Sequence, residues 1–204
     1  NMDITSGGSV PDTRWSDILA QGKYGDYLFI QFGHNDRSAA GRMTDPDSLQ
    51  KDETSYKYNL KRFIIAAKEK GMIPVLLTSV WERKFDDDGK MSDTTIEPYR
   101  AAMREIGEIY DVPVLDVGAE HKKLAERWGV EDSKKLYIHI SLEDYPDFPT
   151  KYASLNDDTH LSATGAAEVC KIIIHEIKEK AASYPQLEEL SKFINPSANI
   201  NYIK

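Results

Sequence analysis

Cysteine is nearly absent: Cys170 is the only one in 204 residues, so no disulfide can close within the chain. Long apolar runs are missing too. Nothing approaches the roughly eighteen apolar residues that a membrane-spanning helix needs. Positive charge is scarce, with 26 Lys and Arg against 34 Asp and Glu, a net charge of −8. That balance argues against a nucleic acid or an anionic membrane surface as partner. No internal repeat, low-complexity linker or signal-peptide pattern is visible in a sequence that opens Asn1-Met2-Asp3. What remains is a length suited to a single domain with a sizeable core.

The apolar pattern alternates between two periods. Tyr27-Leu28-Phe29-Ile30-Gln31-Phe32, bounded by Gly25 and Gly33, predicts a strand buried on both faces. Tyr56, Leu60, Phe63, Ile64 and Ala67 recur at helical spacing, with Gly71 placed to end that helix. Pro74 to Thr78 predicts a second strand, and the Asp-rich stretch Lys84 to Asp93 a loop. Tyr99, Met103, Ile106 and Ile109 mark another helix, and Val112 to Val117 a third strand with its proline near the start. A helix from about Ala119 to Trp128 follows, then a loop carrying Tyr145, Pro146, Phe148, Pro149 and Tyr152. That loop suits either a wall for the apolar faces of sugars or packing over a sheet edge. Val169, Ile172, Ile173 and Ile177 line the last long helix, and a short helix is expected after Pro185. Cys170, set between Val169 and Ile172, reads as a buried, inert thiol. Strands alternating with helices predict parallel crossover units in a three-layer α/β/α fold.

Two short segments carry chemistry. In Asp157-Asp158-Thr159-His160 a carboxylate three residues before a histidine holds the imidazole in one tautomer, ready to act as a base. Asp157 is the orienting acid on this reading, and Asp158 is the other acid within reach. Gly33-His34-Asn35-Asp36 follows the first strand, at the rim where parallel sheets bind ligands, and Asn35 is a side-chain donor for a developing oxyanion. Asn35 could also be a plain turn former after the strand. His160 could also merely cap the helix that follows. Together the segments point to acyl transfer. His121, His139 and His175 lie in surface-like contexts and carry no chemical expectation.

Gly33-His34-Asn35-Asp36 resembles the third block of the SGNH (GDSL-type) hydrolases, and Asp157 to Ala166 resembles their fifth. Phe32 to Asp36, Leu77 to Phe85 and Val112 to Asp116 are similar to the rhamnogalacturonan acetylesterase branch, which removes acetyl groups from pectin. The resemblance runs from about residue 13 to about residue 180. It implies a parallel flavodoxin-like sheet and a serine esterase that needs no metal or organic cofactor. His160 is then the general base and Asp157 its orienting acid. Asn35 supplies the side-chain donor of the oxyanion hole, Gly7 or Gly8 supplies a backbone N–H to it, and His34 faces the substrate. The expected partner is an acetylated poly- or oligosaccharide, which implies a secreted or periplasmic location.

The block that holds the nucleophile, Gly-Asp-Ser, does not occur in the sequence. Gly25-Asp26-Tyr27 is the nearest string, but it opens a strand, the wrong end for a nucleophile. Ser6 and Ser9 lack a strand before and a helix after. A sheet missing an interior strand would leave two rows of backbone groups unpaired. The expectation is therefore that the polypeptide continues upstream of Asn1 and carries the strand and the serine there. If it does not, Ile200-Asn201-Tyr202-Ile203 is a substitute strand. Residues 1–184 are then an N-terminally incomplete hydrolase domain, and 185–204 a C-terminal helix and tail. Two rivals stand beside the esterase: a metal-dependent phosphoesterase, poorly served by five histidines at these positions, and an inactive relative that binds carbohydrate.

Overall fold

Among the described residues the alternation becomes a three-stranded parallel sheet. This computed structural model describes residues 14–37, 44–49, 55–147 and 155–195. β1 (Tyr27–Ile30), β2 (Ile73–Leu77) and β3 (Val114–Leu115) lie in the order β1-β2-β3. The register runs from Tyr27↔Ile73 to Ile30↔Leu76, then from Leu76↔Val114 to Leu77↔Leu115. Parallel neighbours cannot be joined by a tight turn. α2 (Tyr56–Glu69) and α3 (Glu97–Ile109) make the two crossovers, and α1 (Arg14–Gln21), which the sequence pattern did not reveal, precedes β1. The chain forms two compact units, one drawn from Asn1–Ser79 and Thr95–Leu115, the other from Val80–Thr94 and Asp116–Lys204.

The first unit holds this sheet. Ile30, Leu60, Phe63, Ile64, Leu76, Met103, Ile106 and Val112 form one buried cluster, with Leu28 packed against it. Truncating a fully buried residue such as Leu60 to alanine costs about 2–5 kcal/mol. β1 is shorter and less covered than expected. Leu28 and Ile30 face the cluster, so Phe29 between them points to the opposite side and is 43% exposed. Phe32, beyond the end of β1, is exposed as well. The third strand also shrinks: Val117 belongs to the next helix, because the Asp116 carboxylate accepts the Ala119 N–H and caps it.

In the second unit α4 (Val117–Asp132) runs further than expected and breaks at Gly129. A 3-10 turn (Ser133–Leu136) leads to β4 (Tyr137–His139), which pairs antiparallel with β5 (Asn156–Leu161). Asp157 to His160 therefore lie in a strand, and this antiparallel pair stands apart from the parallel sheet of the first unit's strands. Asn-Asp-Asp-Thr-His shows no apolar alternation, which is why its strand was not legible. α5 (Ala163–Lys180) starts immediately after, capped by Ser162 Oγ on the Gly165 N–H at 3.0 Å. A Cβ on Gly165 would stand 1.9 Å from the Leu136 carbonyl oxygen, so only glycine lets this helix approach so closely. α6 (Pro185–Ser191) buries Leu187.

Two further expectations are corrected here. Cys170 is exposed, since Val169, Ile172 and Ile177 form the inward stripe of α5 and Cys170 is rotated off it. His121 is fully buried, not surface-like, and its Nδ1 accepts the Trp81 N–H at 3.2 Å. Among the described residues no helix is long and apolar enough to cross a membrane.

Candidate active site

In the first unit, the turn after β1 is held by its carbonyls. The Phe32 carbonyl accepts hydrogen bonds from Ser79 Oγ at 2.6 Å and from the Tyr56 hydroxyl at 3.0 Å. The Tyr99 hydroxyl lies 2.8 Å from the Asp36 carbonyl and 2.7 Å from that of Thr44. Asp36 is 5% exposed, and its carboxylate accepts from the Thr44 hydroxyl at 3.2 Å. Burial first, then the nearby Asp36 charge, push the Tyr56 hydroxyl well above its ordinary pKa; the same two causes raise Tyr99. Both phenols therefore stay protonated as donors. Behind them, the buried Arg100 donates Nε to the Ser79 carbonyl at 2.8 Å.

Gly33 makes this turn possible. Its φ of +135° lies in the region glycine favours, and a Cβ there would meet Ser79 Oγ at 2.8 Å. Asn35 is exposed between the two pinned ends of the turn, and His34 is half-buried. The positions expected from the sequence thus fall on a rigid turn at the carboxyl end of a parallel strand. Rigid placement is what an oxyanion donor requires.

In the second unit, Asp157 and His160 form a dyad. Asp157 Oδ2 accepts the Nδ1–H of His160 at 2.7 Å. Its other oxygen accepts the backbone N–H of Thr159 at 2.8 Å and of His160 at 2.9 Å. Burial raises the Asp157 pKa, but these backbone bonds and the His160 ring outweigh it and hold the carboxyl below its ordinary value. The carboxylate is therefore charged and locked in place. The imidazole side chain is 74% exposed, with Nε2 as its second ring nitrogen. This geometry can take a proton at Nε2 and stabilise the resulting imidazolium from Nδ1.

Asp158, the alternative orienting acid, turns to other partners. Its Oδ1 lies 2.8 Å from Arg83 Nη1 and 2.8 Å from His139 Nε2. Arg83, Tyr99 and Ser79 are contributors that sequence reading missed, because no spacing announces a partner dozens of residues away. Gly7, Gly8, Ser6, Ser9, Phe148, Pro149, Tyr152 and the 200–203 segment lie outside the described residues. Among the described residues no group of three His, Cys, Asp or Glu side chains is placed to hold a metal ion.

Residues 3–167 match the GDSL-like Lipase/Acylhydrolase family. Rhamnogalacturonan acetylesterase RhgT of Bacillus subtilis (strain 168) is 39% identical over 170 residues, 83% of this chain and 68% of that protein. The probable rhamnogalacturonan acetylesterase YesY of the same strain is 29% identical over 170 residues, 83% of this chain and 70% of that one. The crystal structure of Bacillus subtilis protein YXIM superposes with a TM-score of 0.62 at 22% identity, over 82% of this chain but 41% of that one. That likeness shows a common fold, spanning less than half of the larger protein.

Proposed function

The chain belongs to the GDSL-like lipase/acylhydrolase family, and on that premise we propose that it is an ester hydrolase that removes acetyl groups from a plant polysaccharide such as acetylated pectin. The observation that carries the reading is the Asp157–His160 pair, a charged carboxylate on Nδ1 of an exposed imidazole at 2.7 Å. The names of RhgT and YesY support rhamnogalacturonan as the class of backbone.

A serine hydroxyl attacks the acetyl carbonyl carbon while its proton passes to His160 Nε2. Asp157 stabilises the imidazolium through Nδ1. The oxyanion that forms is held by the Asn35 side-chain amide together with backbone N–H groups, one of them from Gly7 or Gly8. A single such donor contributes on the order of 3 kcal/mol. The carbonyl re-forms, the sugar oxygen leaves with the proton from His160, and an acetyl-serine remains. Water, deprotonated by His160, then releases acetate and restores the serine. His34 faces the sugar. Acting on a polymer of the plant wall places the protein outside the cytoplasm, secreted or periplasmic.

The test is acetate release from acetylated pectin and acetylated xylan, combined with labelling by a serine-reactive organophosphonate and peptide mapping. A single adduct that abolishes release locates the nucleophile and supports the scheme. Acetate release that persists in His160→Ala would overturn it.

A further inference from the structure

His160 stands on a stretch of strand that its own ladder does not hold. Tyr137 pairs with Leu161, yet the next residue, Ile138, pairs with Asp157. Residues 158, 159 and 160 thus bulge from the pair with no opposite neighbour. Such bulges re-aim side chains, but the backbone they free must be fixed by something else.

Arg83 fixes it twice. Its backbone N–H donates to the Asp158 carbonyl at 2.7 Å, and its guanidinium Nη1 donates to the Asp158 carboxylate at 2.8 Å. The rest of the fork reaches the break in α4: Nε donates to Ser133 Oγ at 3.1 Å and Nη2 to the Val130 carbonyl at 2.5 Å. The side chain is only 9% exposed, so its charge needs Asp158 as a partner, and the planar fork holds three acceptors at once. On the opposite strand His139 donates Nε2–H to the same Asp158 oxygen. Asp158 is thus the anchor of the bulge, and it sits between the two members of the dyad.

We propose that Arg83 is a positioning residue for the base: it clamps the 158–160 bulge and thereby keeps the His160 ring against Asp157 in the Nδ1–H tautomer. This rests on the acetylesterase reading for its kinetic consequence, though not for its structural one. A ring displaced by about 1 Å can lose about 10²-fold in rate.

The experiment compares Arg83→Ala and Arg83→Lys with Leu187→Ala, a cavity under α6 that lowers stability without touching the bulge. Two readouts are taken on the full chain: steady-state acetate release, and long-range 1H–15N correlations of the His160 ring, which report the nitrogen that carries the proton. In Arg83→Ala kcat falls roughly 10- to 100-fold with KM changed less than about threefold, and the ring shifts towards the Nε2–H form. Arg83→Lys, keeping the charge but not the three-way fork, falls between. Leu187→Ala keeps the wild-type kcat and tautomer at a lowered Tm. If Arg83→Ala does not fold, Arg83→Lys still has to show the tautomer shift. Wild-type kcat and tautomer in the Arg83 variants overturn the proposal, as does an equal loss in Leu187→Ala. A tautomer shift in an enzyme that releases no acetate supports the clamp while defeating the acetylesterase reading.

Discussion

Tyr99 holds Asp36 across 63 residues of chain, its buried hydroxyl 2.8 Å from the Asp36 carbonyl oxygen. The same oxygen accepts the Thr44 N–H at 2.9 Å, so the phenol acts as a second tie on a turn already closed once. Tyr99→Phe keeps the ring and its edge-on contact with Tyr56 but loses that tie. About 1 kcal/mol of stability should go, with a several-fold fall in kcat as Asn35 loosens. Urea unfolding and acetate-release kinetics measure the two effects separately; an unchanged kcat would detach the tie from catalysis.

Asn35 and His160 contribute differently to the proposed reaction, and their variants should separate accordingly. Asn35→Ala removes one oxyanion donor and should lower kcat roughly 10²- to 10³-fold with little change in KM. His160→Ala removes the only proton acceptor in the scheme and should abolish turnover. Equal, modest losses in both would argue that neither touches the reacting atoms.

Acid should reach folded Asp157 late, below the range of an ordinary carboxylate. Its carboxyl pKa is lower folded than unfolded, so the folded state binds fewer protons than the unfolded chain as pH drops. The stabilisation it gives is complete above the ordinary carboxylate value of about 3.9 and is lost as pH falls through the lower folded value. Urea midpoints of the wild type should therefore fall more steeply over roughly pH 5 to 2 than those of Asp157→Asn. Parallel curves for the two proteins would remove Asp157 from the acid response.

Gly33→Ala should be disproportionately harmful for a single methyl. It places a side chain at φ +135° and within 2.8 Å of the Ser79 hydroxyl that holds the Phe32 carbonyl. A loss of about 1–3 kcal/mol is expected, and kcat should drop with it because Asn35 lies two residues on. Thermal denaturation and kinetics on purified protein check both.

The parallel half of the fold was legible because its signal is local. Leu60, Phe63, Ile64 and Ala67 write the inner face of α2 in the sequence, and Ile73 to Leu77 is a continuous apolar run. Asp157 and His160 were legible for a similar reason, since three residues separate them. The antiparallel β4–β5 pair was not, because its strand is polar and partly bulged. Nor was the exposure of Cys170, which one helical step removes from its apolar neighbours. The ties that fix the 33–36 turn and the 157–160 segment were illegible for a different reason. Tyr99 and Arg83 act on partners 63 and 75 residues away, which neither the helical pattern around Tyr99 nor the 77–85 stretch around Arg83 announces.

The 75 residues between Arg83 and Asp158 also set a clock. At about 5–20 residues per second, a ribosome delivers Asp158 some 4–15 s after Arg83. The described strands of the first unit's sheet have all been made by residue 115, so they can pair while the 80–94 segment still waits for its partners. During that interval the guanidinium stays in water, and the dyad does not yet exist. On the proposed scheme the nascent chain therefore has no proton acceptor until His160 has been made, however early its first sheet forms.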